Sequence, residues 1–250
     1  MVKRLVILIL SFSLLLIGVT ACSGMTSGKV FKIGISQLAE HPALDSAREG
    51  FIEALKEAGY EDGKNIKIEY QNAQGDVNNA QTIARKFTDE NVDMILAIAT
   101  QAAQAAANVT KEIPILITAV TDPVTAGLAE SLDKPGKNVT GTTDINPVDE
   151  QIKLVKELVP QAERVGILYN SGEINSKIQV DIAKEIVEDL GMTLVEAAVS
   201  NSNEVSQATQ SLMGRVDAIY VPTDNTIVSS IGAVIKAANE NNIPVIGSER

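Results

Sequence analysis

The residues able to do chemistry in this sequence gather just after its apolar runs. Ser36 and Gln37 follow the run that begins at Phe31, Thr100 and Gln101 follow VDMILAIA, and Thr121 and Asp122 follow IPILITAV. In the second half Asn170, Ser171, Glu173, Asn175 and Ser176 follow RVGILY. Thr223, Asp224 and Asn225 follow VDAIYVP, and Ser248 and Glu249 follow IPVIG. Where such residues open a helix, the free N–H groups and positive dipole end suit a carboxylate. Carboxylates such as Asp122, Asp144 and Asp224 suit an ammonium, held by charge-assisted hydrogen bonds. Together they would suit a small zwitterion. Each residue taken alone has a plainer reading as a helix cap; their grouping on one edge favours a site.

Other chemistries lack their residues. Cys22 is the only cysteine and His41 the only histidine, so there is no disulfide framework, no multi-histidine metal site and no HExxH. A Ser-His-Asp arrangement could use only His41, whose HPALD context reads as the start of a helix. There is no GxxxxGK[ST] loop, no strand-linked GxGxxG and no GxSxG elbow. No catalytic residue, metal or cofactor is expected. A formal charge of -11 argues against nucleic acid, which needs clustered Lys and Arg. With 3% aromatic residues and no Trp, aromatic stacking platforms are also unsupported.

The elements that must position these residues alternate. Apolar runs bounded by polar residues read as strands buried on both faces, predicted at 31–36, 65–70, 94–99, 113–119, 139–143, 164–169, 193–198, within 216–225, and at IPVIGS. Helices are predicted at 42–58, 77–88 (capped by Asp76), 101–109, 124–131, 148–159, 173–190, 203–213 and 227–240. Ala43, Ala47, Phe51, Ala54 and Leu55 are expected on the inner face of the first. Ile83, Ala84 and Phe87 are expected on that of the second. Strands alternating with helices imply parallel βαβ units and doubly wound sheets, whose ligands bind beyond the carboxyl ends of the strands.

The plan occurs twice. VDAIYVPTDN repeats VDMILAIATQ, RVGILY echoes FKIGIS, IPVIGS echoes IPILIT, and Gly191 ends a helix as Gly59 does. The expected organisation is a first Rossmann-like lobe over 30–143, a crossover at 144–147 and a second lobe over 148–250. The chain stops directly after a strand, so the second lobe is expected to be incomplete and the sequence truncated at its C-terminus.

Lys3 and Arg4, then the apolar run Leu5 to Val19, then Thr20, Ala21 and Cys22 have the order of a secretory signal. The run is shorter than the ~20 residues of a membrane-spanning helix. Ala21-Cys22 resembles a bacterial lipobox, with Val19 where Leu is more usual. The expectation is a signal peptide over 1–21, lipidation of Cys22, a flexible tether over 22–29, and a protein tied to the outer or periplasmic face of the cell membrane.

Several stretches together resemble one family: AIATQAAQAAANVT at 97–110, ITAVTDPVTAGL at 117–128, NVTGTTD at 138–144, YNSGEINS at 169–176, VPTDNTIVSS at 221–230 and IPVIGSE at 243–249. The family is that of ABC-transporter substrate-binding lipoproteins with the type I periplasmic-binding-protein fold, in the branch linked to tryptophan and other aromatic amino acids. The resemblance implies a monomeric two-lobed receptor that closes on a small ligand, by family an amino acid. It would deliver that ligand to a membrane permease powered by a cytoplasmic ATPase. Three segments cross between lobes in such proteins, and this chain shows one, near Asp144. By position in the matching motifs the ligand residues are Gln37, Thr100, Gln101, Thr121 and Asp122 from the first lobe, and Asp144 at the crossover. Asn170, Glu173, Asn175, Asp224 and Asn225 are the matching residues of the second. Leu38, Pro42 and Tyr169 are candidates for an apolar slot. A sensory module on the same fold, a receptor for a branched-chain amino acid, peptide, purine or sugar, and an extracytoplasmic enzyme are the competing readings.

Overall fold

The computed structural model describes residues 29–248. The expected leader, the expected lipidation site Cys22, nearly all of the expected tether and the strand-end Glu249 lie outside the described residues. Among the described residues no helix is long and apolar enough to cross a membrane.

The first lobe is one parallel five-stranded sheet with helices on both faces. Its elements run β1 (Phe31–Gln37), α1 (Pro42–Glu57), β2 (Ile66–Asn72), α2 (Val77–Asp89), β3 (Met94–Ile98), α3 (Thr100–Val109), β4 (Ile115–Val120) and β5 (Val139–Thr143). The strand order is β2-β1-β3-β4-β5. The second lobe runs α4 (Val148–Leu158), β6 (Arg164–Asn170), α5 (Ile174–Asp189), β7 (Thr193–Val199), α6 (Val205–Leu212), β8 (Ala218–Val221), α7 (Asn225–Ser229), α8 (Ile231–Glu240) and β9 (Val245–Gly247). Its order, β7-β6-β8-β9, is that of the first four strands of the other sheet. In both sheets the order reverses beside the first strand. The crevice at that reversal is where an open α/β sheet binds ligands.

Local sequence accounts for the elements. Ile33 and Ile35 of β1 are buried, and Gly34 lets α2 approach: a Cβ there would lie 2.7 Å from the Phe87 ring. Pro42 opens α1, where its missing N–H costs nothing. Asp76 caps α2, accepting from the N–H groups of Asn78 and Asn79 at 2.6 and 3.2 Å. The repeated VD pair has a structural role at the far edge of each sheet. Asp93 accepts from the N–H of Lys32 at the start of β1 (2.9 Å). Asp217 accepts from those of Glu163 and Arg164 at the start of β6 (3.0 and 2.8 Å).

Three expectations need correction. Residues 124–131 form turns up to Gly127 and irregular chain beyond it, not a helix, because Asp122 caps the first turn and Gly127 (φ 74°) reverses the chain. The helix expected over 227–240 begins at Asn225 and breaks at Ser230 (φ -116°, ψ 16°) into α7 and α8. Ala54 is exposed; Leu44, Ala47, Phe51, Ile52 and Leu55 make the inner face of α1.

Candidate ligand-binding cleft

At the carboxyl edge of the second sheet two carboxylates are removed from water. Asp224 is 0% and Glu173 1% exposed. Asp224 accepts from the N–H of Asn170 at 2.6 Å, the Ser176 hydroxyl at 2.7 Å and the N–H of Ile227 at 2.8 Å. It thereby caps α7 and ties the end of β6 to that of β8. Glu173 accepts from the N–H and Nδ2 of Asn225 at 3.1 and 2.6 Å, and from the N–H and hydroxyl of Thr226 at 3.1 and 2.8 Å. The Asn175 amide adds a fifth bond at 3.2 Å. Burial, then the neighbouring Glu173 charge, pushes the Asp224 carboxyl up to about 7. Gln179 holds the loop beneath, accepting from the N–H of Thr223 (3.1 Å) and donating to its carbonyl (3.3 Å).

The first lobe presents a different edge. Gln37 is buried and engaged within its own lobe: Nε2 donates to the Ala39 carbonyl and Asp45 at 2.7 and 2.9 Å, and Oε1 accepts from Arg48 at 2.8 Å. The junction of β3 and α3 passes through Ala99 at φ 80°, ψ 154°, a conformation close to one reserved for glycine and costly for alanine. Thr100 and Gln101 then open α3. Thr100 is buried, and its hydroxyl makes no hydrogen bond among the described residues; the same is true of Ser36.

The lobes meet through a few specific contacts. Gln101 Nε2 donates to the Gly172 carbonyl at 3.0 Å, and His41 Nε2 lies 3.4 Å from Asn225 Oδ1. Asn146, just after the crossover strand, donates to the Thr223 hydroxyl at 2.7 Å. Ile174, in the first turn of α5, packs against the hydrophobic core of the first lobe.

Two cavities flank these contacts. One, of about 570 Å³, brings Gln101 together with Asn170, Glu173 and Asn225, and has Leu38 in its wall. The other, of about 460 Å³, brings together Thr121, Asp144, Asn175 and Asn225, with Asn146, Thr223 and Ser248. No Lys or Arg lines either one. In the second cavity Asp144 Oδ1 and Asn175 Oδ1 are buried acceptors without a hydrogen-bond donor among the described residues. Burial raises the Asp144 carboxyl, against a smaller opposing effect from the Thr121 hydroxyl. A cation brought to it would reverse that shift.

Seven of the eleven expected ligand residues therefore line the two cavities. Gln37, Thr100, Asp122 and Asp224 do not. Asp122 accepts from the N–H groups of Val124 and Thr125 and from the Thr125 hydroxyl, at 2.9, 3.1 and 2.6 Å. Tyr169 stays in its sheet, donating to Glu196 at 2.8 Å, while Pro42 lines a neighbouring apolar cavity of about 480 Å³ with Val221 and Ile235, which shares Ala43 and Ser248 with the second. Asn146 was not among the expected residues; its signal was a polar side chain within the crossover. Ile174 carried no signal, since an apolar residue at helical spacing reads as core. Among the described residues no cluster of three or more His, Cys, Asp or Glu could hold a metal ion.

A parallel two-lobed α/β chain with polar strand ends facing one cleft defines a solute receptor. The chain belongs to the ABC transporter substrate binding protein family, whose model matches residues 32–250. It is 55% identical over 223 residues to a tyrosine-binding protein of Clostridioides difficile (strain R20291), a match covering 89% of this chain and 65% of that one. The chain thus spans about two thirds of the length of that relative. A solved ABC domain from Streptococcus pneumonia in complex with L-Trp is 39% identical, with TM-score 0.84, covering 88% of this chain and 74% of that one. A ligand-free, open substrate-binding protein with adhesive properties from Clostridium difficile is 53% identical but has TM-score 0.62, covering 88% and 75%. The less similar sequence is the better superposition. The fold is the type I periplasmic-binding-protein fold.

Proposed function

We propose that the protein is the extracytoplasmic receptor of an ABC importer, taking an aromatic α-amino acid into the interlobe cleft and presenting it to the permease. One observation carries the reading of the ligand. Asp144 Oδ1 from the crossover and Asn175 Oδ1 from α5 are buried acceptors without hydrogen-bond donors, in the walls of one cavity of about 460 Å³ that no Lys or Arg lines. Two such acceptors suit an ammonium, which repays their desolvation as no neutral solute can. An aromatic side chain is supported by the tyrosine-binding relative and the L-Trp complex, and transport by the family itself. Closure is then a hinge motion that the ligand stabilises by contacting both lobes at once.

A thermal-shift screen of amino acids, sugars and nucleosides tests the reading. Tyrosine, tryptophan or phenylalanine should raise the melting temperature, because a ligand that binds only the native state must stabilise it. A strong shift with a sugar or nucleoside and none with any amino acid would reject it.

A further inference from the structure

One chain of polar contacts crosses the cleft, and its order constrains every member. Glu173 is buried in the second lobe and, as a carboxylate, only accepts. It takes Asn225 Nδ2 at 2.6 Å, so the amide oxygen of Asn225 must point the other way. That oxygen faces His41 Nε2 of the first lobe at 3.4 Å. An oxygen can only accept there, so Nε2 must carry a proton. We infer that Glu173, Asn225 and His41 form a latch across the cleft, in which a carboxylate of one lobe dictates the tautomer that the other must present for closure. The latch rests on the reading of the protein as a receptor that closes on its ligand.

The latch makes closure sensitive to pH, with a definite sign. The ordinary imidazole pKa is 6.5, and opening the cleft removes the cover that the second lobe gives the ring. In the closed form burial is the largest influence and lowers its pKa, against smaller opposing effects from the Asn225 hydrogen bond and from the Asp45 and Glu173 charges. The charged groups around the ring are few. On α1 there is Asp45, already held by Gln37 and Arg48. On the second lobe there is Glu173, with Asp224 beneath it, and the neighbouring Glu40 is exposed. The closed form therefore binds the proton less tightly than the open form. Closure is fully supported well above pH 6.5 and weakens as pH falls through it, by up to about fivefold between pH 6.5 and 5.5.

Small-angle scattering of the unliganded protein, fitted as a mixture of open and closed forms at pH 7.5 and 5.5, tests the latch. The wild type should shift toward the open form at pH 5.5. His41→Gln, which keeps an N–H donor without a titrating ring, should stay equally closed at both pH values. His41→Phe, with no donor, should be more open at both. A wild type unchanged between the two pH values, or a His41→Gln variant that opens as the wild type does, would overturn the latch. Titration with L-tyrosine, L-tryptophan and L-phenylalanine at pH 7.5 separates this from the functional reading. Failure of every aromatic amino acid to bind would reject the receptor assignment while the scattering still decides the latch.

Discussion

The Asp224 carboxylate takes the main-chain N–H of Asn170 at 2.6 Å, which joins the ends of β6 and β8. Its other oxygen takes the N–H of Ile227 at 2.8 Å. Both oxygens thus face backbone donors, and an amide at this position must set its NH₂ against one of them. Asp224→Asn is expected to cost about 1–3 kcal/mol of stability, the penalty of an unmet buried donor. Urea denaturation of variant and wild type measures it; equal midpoints would refute it.

The same carboxyl gives stability a pH dependence. Its pKa is raised on folding, from an ordinary 3.8 to about 7, by burial and then by Glu173. The folded state therefore binds this proton more tightly than the unfolded state. The contribution is fully present below about pH 4 and disappears as pH rises through 7. Thermal melts at pH 5 and pH 8 should show this loss in the wild type, and a smaller one in Asp224→Asn. An identical pH profile in the variant would contradict the assignment.

Asp144 is expected to act on ligand rather than fold. Its Oδ1 has no protein donor among the described residues, and the carboxyl is engaged only by the Thr121 hydroxyl and its own main chain. Asp144→Ala should weaken binding of an aromatic amino acid by about 2 kcal/mol or more, with the melting temperature of the free protein nearly unchanged. Calorimetry and a melt on the same sample check both halves. Unchanged affinity would remove Asp144 from the site.

Ile174 belongs to the second lobe yet packs on the core of the first. Ile174→Ala removes apolar contact made only when the lobes are together. It should weaken ligand binding by up to about 2 kcal/mol, the lower range for such truncations. Hydrogen exchange within each sheet should be unaffected. Loss of protection inside the second sheet would mark Ile174 as ordinary core instead.

Gly141 lies in β5, on the path to Asp144. At φ 151° a Cβ there would stand 2.0 Å from the Ile117 carbonyl oxygen, so no side chain fits without moving β5 off β4. Gly141→Ala is expected to lower the melting temperature and, by displacing the crossover, to weaken ligand binding. A variant with wild-type stability and affinity would contradict this.

The parallel sheets were legible because each strand is a short apolar run between polar residues, and the helices because their caps are local, as Asp76 and Gly59 show. What remained hidden depends on distance through space. Asp122, Asp144 and Asp224 look alike as carboxylates after strands. Yet Asp122 and Asp224 accept from backbone N–H groups a few residues on, whereas Asp144 Oδ1 is left without a donor. Gln37 read as a cleft amide, but Asp45 and Arg48, one and two turns into α1, engage it within its own lobe. The segment 124–131 read as a helix, yet its Ala126, Leu128 and Ala129 are buried without helical backbone. No pattern within one segment reports that Ile174 meets the other lobe.

Calorimetric titration with L-tyrosine, L-tryptophan, tyramine and 3-(4-hydroxyphenyl)propanoate addresses the central claim most directly. At least one of the two amino acids should bind, and the propanoate, which lacks the ammonium that Asp144 and Asn175 would hold, should bind at least about 30-fold more weakly. Binding of the propanoate as tightly as the amino acid would contradict the account.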